Sequence, residues 1–227
     1  MARLSVDEVQ SRIAALVDQD ESTANISATD YSLRLKFINM AMHEWQEINN
    51  WQVLTDEYNS LVSTSANNAS IVLPATFRKL AGPVQITYDG VTTNNFPETR
   101  LQDDTSYDAT FKRICILGNP NSQYILRVFG VTLASGASVK VPYIKSVASL
   151  VSPTNITEIP NPEFLTKRTV AYLWEAREDP RYPGMKDEAE KILRNMIEYE
   201  NVFGYHADFD RVKTVEETTH GFRLGRD

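Results

Sequence analysis

Apolar residues recur at helical spacing near both ends of the chain and at alternating spacing between them. Ser5-Val6-Asp7-Glu8 has the form of a capping box, in which the Ser5 hydroxyl accepts a helix-start N–H and Glu8 reaches back. Val9, Ile13 and Leu16 follow at helical spacing and predict a first helix. The polar stretch DQDESTANISATD predicts a loop. Asp30 then caps a second helix, where Leu33, Phe37, Met40, Ala41, Trp45 and Ile48 form one apolar face. Asn49-Asn50 ends it.

From Trp51 the period shifts. Gln52 to Leu61, Ile71 to Leu73 and Val84 to Tyr88 read as strands. Asp89-Gly90 marks a tight turn. Residues 92–108 are rich in Thr, Asn and Asp, include Pro97, and predict an exposed loop. Phe111–Leu117 and Tyr124–Phe129 flank the turn Gly118-Asn119-Pro120-Asn121. Val139, Val141 and Tyr143 alternate in a further strand. Five to seven short strands imply an antiparallel sheet or a small sandwich.

Asn161-Pro162 opens a third helix, with Asn as N-cap and Pro at the first helical position. Leu165, Thr169, Tyr172, Leu173 and Ala176 form its inner face. The segment DPRYPG forces a reversal, because proline lacks an N–H and clashes with the preceding turn. Met185, Ala189, Ile192, Leu193, Met196, Ile197 and Phe203 line a fourth helix, stopped by Gly204. The expected fold is α+β: a four-helix bundle, two helices N-terminal and two C-terminal, with an inserted antiparallel β-sheet or small sandwich. Residues 1–50 and 160–204 make the bundle, 51–159 the β domain and 205–227 an extended C-terminal arm.

Charge narrows the partners. The net charge is −7, and residues 1–62 hold four basic and ten acidic side chains. No basic stripe supports tight binding to nucleic-acid phosphates. That excludes a reader of DNA but not a conduit for it. No apolar run approaches the roughly 18 residues of a membrane span, and MARLSVDEVQ lacks the apolar stretch of a secretory signal. A single cysteine, Cys115, excludes an internal disulfide, and its alternating run FKRICIL reads as a buried strand. The expectation is a protein of the cytoplasm, which includes one made in an infected cell.

Reactive clusters are scarce. His43, His206 and His220 are scattered without the i, i+4 spacing of a helical zinc site. Phosphate-cradling, dinucleotide and nucleophile-elbow motifs are missing. Asp18 to Glu21 and Asp103-Asp104 lack the glycine and glutamate of a calcium loop, and read as solvated acids. Glu175, Glu178 and Asp179, intermixed with Arg177 and Arg181, read as a solvated helix end. Two acids converging for glycoside hydrolysis stay open on sequence alone. Trp45, Trp51 and Trp174 lie on or beside apolar helical faces and read as core. No catalytic, metal or cofactor site is expected, and no enzyme activity.

The order of elements resembles the head–tail adaptor (connector) proteins of tailed bacteriophages. The resemblance rests on LRLKFINMAMHEWQEINNWQVL, on LPATFRKLAGPVQI (Leu73–Ile86), on VPYIK (Val141–Lys145), on Ile159-Pro160 and on the terminal helical hairpin. It covers residues 5–204 as an order of packing patterns. It implies a homo-oligomeric ring, commonly twelvefold, beneath the portal protein in the virion neck. A tail or nozzle protein would sit on the distal side, and genomic DNA would pass through the lumen without sequence-specific binding. It also implies that the C-terminal segment reaches the portal. The candidate contacts there are Phe209, Arg211, Val212, Lys213, Val215, Phe222, Arg223, Leu224 and Arg226. A polar segment with isolated apolar anchors cannot form a core alone, yet it can order on a partner. Two other classes stay open: another virion component, such as a tail-completion or tail-tube protein, and a β-sandwich module that binds or hydrolyses carbohydrate.

Overall fold

Helix starts follow the local chemistry of their caps. The computed structural model describes residues 3–18, 26–63, 66–67, 69–88, 90–98, 112–119 and 123–203. Helix α1 spans Val6–Val17, and Ser5 Oγ accepts the Glu8 N–H at 3.3 Å while the Glu8 carboxylate accepts the Ser5 N–H at 2.7 Å. Helix α2 spans Ala28–Ile48. It opens on Ser27 rather than Asp30, since Ser27 Oγ accepts the Asp30 N–H at 3.1 Å.

The buried face of α2 differs from the expected one. Arg34, Ile38, Ala41, Met42, Trp45 and Gln46 are buried, whereas Leu33, Met40 and Ile48 are 37–44% exposed. The buried arc is rotated by roughly 80–100° from the expected one, about one residue's step around the helix. Apolar side chains cover more than half of this helix's circumference, so their period alone does not choose the arc.

A short 3-10 turn, Gln52–Leu54, leads into ten strands among the described residues. They are β1 (Thr55–Leu61), β2 (Ala66–Asn67), β3 (Ser70–Val72), β4 (Phe77–Leu80), β5 (Val84–Thr87), β6 (Thr93–Phe96), β7 (Arg113–Leu117), β8 (Ile125–Phe129), β9 (Thr132–Leu133) and β10 (Ser138–Lys145). All ladders between them are antiparallel. The long strand β10 organises a five-stranded sheet. One side pairs along its length with β1, from Thr55↔Ile144 to Leu61↔Ser138. The other side is shared by β5 near Ser138 and β4 near Tyr143, and β6 continues from β5 through Val84↔Phe96. Strands β3, β8 and β7 form a second sheet in that order, and β2 with β9 form a two-stranded ribbon.

Alternation places the core of these strands. Val139, Val141 and Tyr143 of β10 are buried with Val84, Ile86 and Phe96 from the same sheet. Ile71, Ile114, Leu126 and Val128 of the second sheet join that cluster. Strand β6 lies within the stretch expected to be an exposed loop. Its side chains other than Phe96 are polar and at least partly exposed, so its only strand signal is one aromatic at a paired position. Gly118 has φ +115°, and a Cβ there would stand 2.6 Å from the Gln123 carbonyl oxygen, so the β7–β8 turn requires glycine.

Helix α3 spans Pro162–Ala176, and Asn161 Oδ1 accepts the Glu163 and Phe164 N–H groups at 3.0 and 3.4 Å. Helix α4 spans Tyr182–Phe203, with Pro183 and Gly184 inside its first turn rather than in the turn before it. Pro is tolerated there because the first helical N–H groups have no intrahelical partner.

The chain is α+β with four α-helices among the described residues, but the expected four-helix bundle carrying an inserted sheet does not hold. Helix α3 is the hub: it packs on α4, α2 and α1, while α1 and α2 meet only briefly and α4 packs on α3 alone to any comparable extent. Eight residues of α3 are buried, including Phe164, Leu165, Val170 and Trp174 on divergent sides. A helix apolar on several sides draws neighbours around itself instead of joining a ring of equal partners. The strand region is also too large to be a minor insert, with two sheets over a core of its own. Two compact units result, residues 1–53 with 147 onward, and residues 54–146.

Candidate interaction surfaces

Polar side chains, not reactive clusters, organise the helical unit. Glu44 on α2 receives Arg168 of α3 in a fork, Nε to Oε2 at 2.7 Å and Nη2 to Oε1 at 2.5 Å. The Tyr172 hydroxyl donates to the same carboxylate at 2.5 Å, and Phe37 stacks on the Tyr172 ring at 5.9 Å. Burial, then the Glu44 carboxylate, pushes the Tyr172 hydroxyl up to about 12. Burial opposes the Arg168 charge, but Glu44 outweighs it and holds the guanidinium above its ordinary value. Lys167 bridges Glu163 of its own helix and Glu188 of α4, both at 2.9 Å.

The α3–α4 turn has its own lock. Asp179 Oδ1 accepts the Arg181 backbone N–H at 2.9 Å, and Oδ2 accepts Arg181 Nη2 at 2.7 Å. The Arg181 guanidinium lies 4.3 Å from the Trp174 ring centroid, and Glu178 takes the left-handed φ of 54°. Hydrogen bonds from Arg181 hold the Asp179 carboxyl at about 2, below the ordinary 3.8. A depressed carboxylate contributes order that is complete above its unfolded pKa and is lost as pH falls through its folded pKa. The Asp179–Arg181 lock is therefore expected to open between pH 4 and 2. An NMR titration of the Asp179 carboxyl should give a midpoint near 2, and a midpoint of 3.8 or above would show that the lock is absent in solution.

A second set of contacts holds the segment between β10 and α3. Asn39 of α2 donates to the Leu150 carbonyl at 3.0 Å and accepts the Leu150 N–H at 2.8 Å. One turn pair further on, Gln46 Oε1 accepts the Val147 N–H at 2.9 Å. Asn155 Oδ1 accepts the N–H groups of Val151 and Ser152. The start of α1 completes the fastening, with Val6 N–H to the Asn155 carbonyl at 2.9 Å and Thr157 N–H to the Leu4 carbonyl at 2.9 Å. Two amides seven residues apart lie on one side of a helix, which is the sequence signal that could have marked them.

Most of the N-terminal acids are engaged within the chain. Glu8 caps α1, Asp18 pairs with Arg34, Asp30 lies 3.7 Å from Arg177, and Glu57 pairs with Lys140 at 2.7 Å. Cys115 is buried in β7, and His43 is exposed on α2 with Nδ1 3.2 Å from Gln46 Nε2. Trp45 and Trp51 are buried and stacked at 4.7 Å, and Trp174 is buried on α3. Glu175 and Glu178 are exposed at the helix end beside Asp179. Among the described residues no group of three or more His, Cys, Asp or Glu could hold a metal, and no helix is long and apolar enough to cross a membrane. The candidate arm residues Phe209, Arg211, Val212, Lys213, Val215, Phe222, Arg223, Leu224 and Arg226 lie outside the described residues, as do Asp20, Glu21, Asp103, Asp104, His206 and His220. No protein-family model and no curated protein matches the chain.

Proposed function

We propose that the chain is a structural virion protein, a head-to-tail adaptor that forms a ring beneath the portal and leaves a channel for DNA. One coincidence carries the reading: each resembling motif falls at a joint of the fold. LRLKFINMAMHEWQEINNWQVL is most of α2 and the turn after it, closed by the Trp45–Trp51 stack. LPATFRKLAGPVQI forms β4 and β5, VPYIK ends β10, and Ile159-Pro160 immediately precedes the Asn161 cap of α3.

The function needs no chemical step. Ring closure uses head-to-tail contacts, in which one surface of each copy fits a different surface of the next. Acidic side chains along the lumen keep DNA from adhering, because phosphates are repelled rather than bound. The segment 205–227 docks on the portal, its apolar anchors in grooves and its four basic side chains on polar rims.

Deleting residues 205–227 is expected to leave the subunit folded by circular dichroism and to abolish co-sedimentation with the portal of the same virus. Retained co-sedimentation would remove the arm from the docking contact. Electron microscopy of the portal complex tests the wider reading. Density for this chain at a level remote from the portal would replace the adaptor with another virion component.

A further inference from the structure

Helices α1 and α2 meet through polar groups that the described residues leave incompletely bonded. Gln10 is wholly buried and Arg34 is 2% exposed. Gln10 Nε2 donates to the Tyr31 carbonyl at 3.2 Å, but its Oε1 has no protein partner. Arg34 Nη2 meets the Asp18 carboxylate at 2.5 Å, while its Nε and Nη1 have none. The Tyr31 hydroxyl, one turn before Arg34, is also without a partner. Buried donors and acceptors are almost always satisfied, by protein or by ordered water.

We infer that the α1–α2 contact encloses internal water, bound by Arg34 and by Gln10. The orphaned set decides the ligand. Arg34 offers three N–H groups on two nitrogens, Nε and Nη1, and Gln10 offers a carbonyl acceptor. An anion would satisfy the first, but it would stand close to the Asp18 carboxylate that Arg34 Nη2 already meets at 2.5 Å, and it could not serve the Gln10 acceptor. Water serves both, because it donates and accepts. A side chain from a partner cannot reach, because these atoms are sealed from solvent. The contact between the two helices is thus hydrated at its buried polar groups. This inference is independent of the adaptor reading.

Crystals of the full chain test it directly. Water density is expected about 2.7–3.2 Å from Arg34 Nε or Nη1, and also from Gln10 Oε1. Dry density at both groups would overturn the inference. So would an anomalous peak beside Arg34 after a bromide soak. Magnetic relaxation dispersion gives a second reading: Arg34→Met should lose at least one long-lived water relative to the wild type. An unchanged count in a folded Arg34→Met variant would also overturn it. If that variant does not fold, Gln10→Leu is measured in its place with the same criterion, and the wild-type density decides.

Discussion

Replacing Trp45 with alanine should destabilise the helical unit by about 3–5 kcal/mol, the range for deleting a fully buried large aromatic. Trp45 is 0% exposed, and its ring stacks on Trp51 at 4.7 Å with an interplanar angle of 15°. The Trp51 indole N–H donates to the Trp45 carbonyl at 2.6 Å, so the pair is fastened by ring and backbone together. The alanine variant leaves a cavity beneath Trp51 that a helix in mid-turn cannot collapse to fill. Most domains hold only about 5–15 kcal/mol in total, so the loss is a large share of what exists. Trp45→Phe should cost far less, under about 2 kcal/mol, for a reason beyond ring size. The Trp45 indole N–H is buried without a partner, and removing it relieves a desolvation cost that offsets part of the lost contact. Urea unfolding followed at 222 nm separates the two variants. Equal losses would mean that the site repacks freely.

Phe96→Ala should destabilise the strand unit by about 3–5 kcal/mol. Phe96 is 0% exposed on β6, opposite Val84 of β5, and lies in a core shared by two sheets. Asn95→Ala, one residue away on the exposed side of the same strand, should change stability by no more than about 0.5 kcal/mol. Because the chain has two compact units, each variant is best followed by amide hydrogen exchange as well as by bulk unfolding. Protection should fall among β5, β6 and β10 in the Phe96 variant. If both substitutions had the same small effect, β6 would be a fringe of the sheet rather than part of its core.

Most local signals are readable and the nonlocal ones are not, although the α2 cap, also local, lies at Ser27 and not at the expected Asp30. The Ser5 and Asn161 caps are legible because a cap binds its own helix within three residues. Phe96 was not, since TNNF becomes a strand only when β5 is placed beside it. The α2 arc failed for a related reason: Leu33 and Ile38 are both apolar, and only the neighbouring helix decides which of them is buried. The hub role of α3 is similarly invisible in its period, although its buried Thr166 and Thr169 return their hydroxyls to Pro162 and Leu165 within the helix and so permit close packing.

Asn39 and Gln46 have a consequence for how such a chain can change over time. They hold residues 147–150 against the same helix whose end launches the strand unit at residue 54. The 93 residues from Leu54 to Ser146 are therefore a cassette in the chain, entered after α2 and left at the segment that Asn39 and Gln46 hold. Lengthening, shortening or exchanging that cassette leaves the clip intact, because neither amide belongs to it. Natural variation should then accumulate in the cassette far faster than at the two amides, and a short flexible linker in its place should leave α1, α2, α3 and α4 able to assemble.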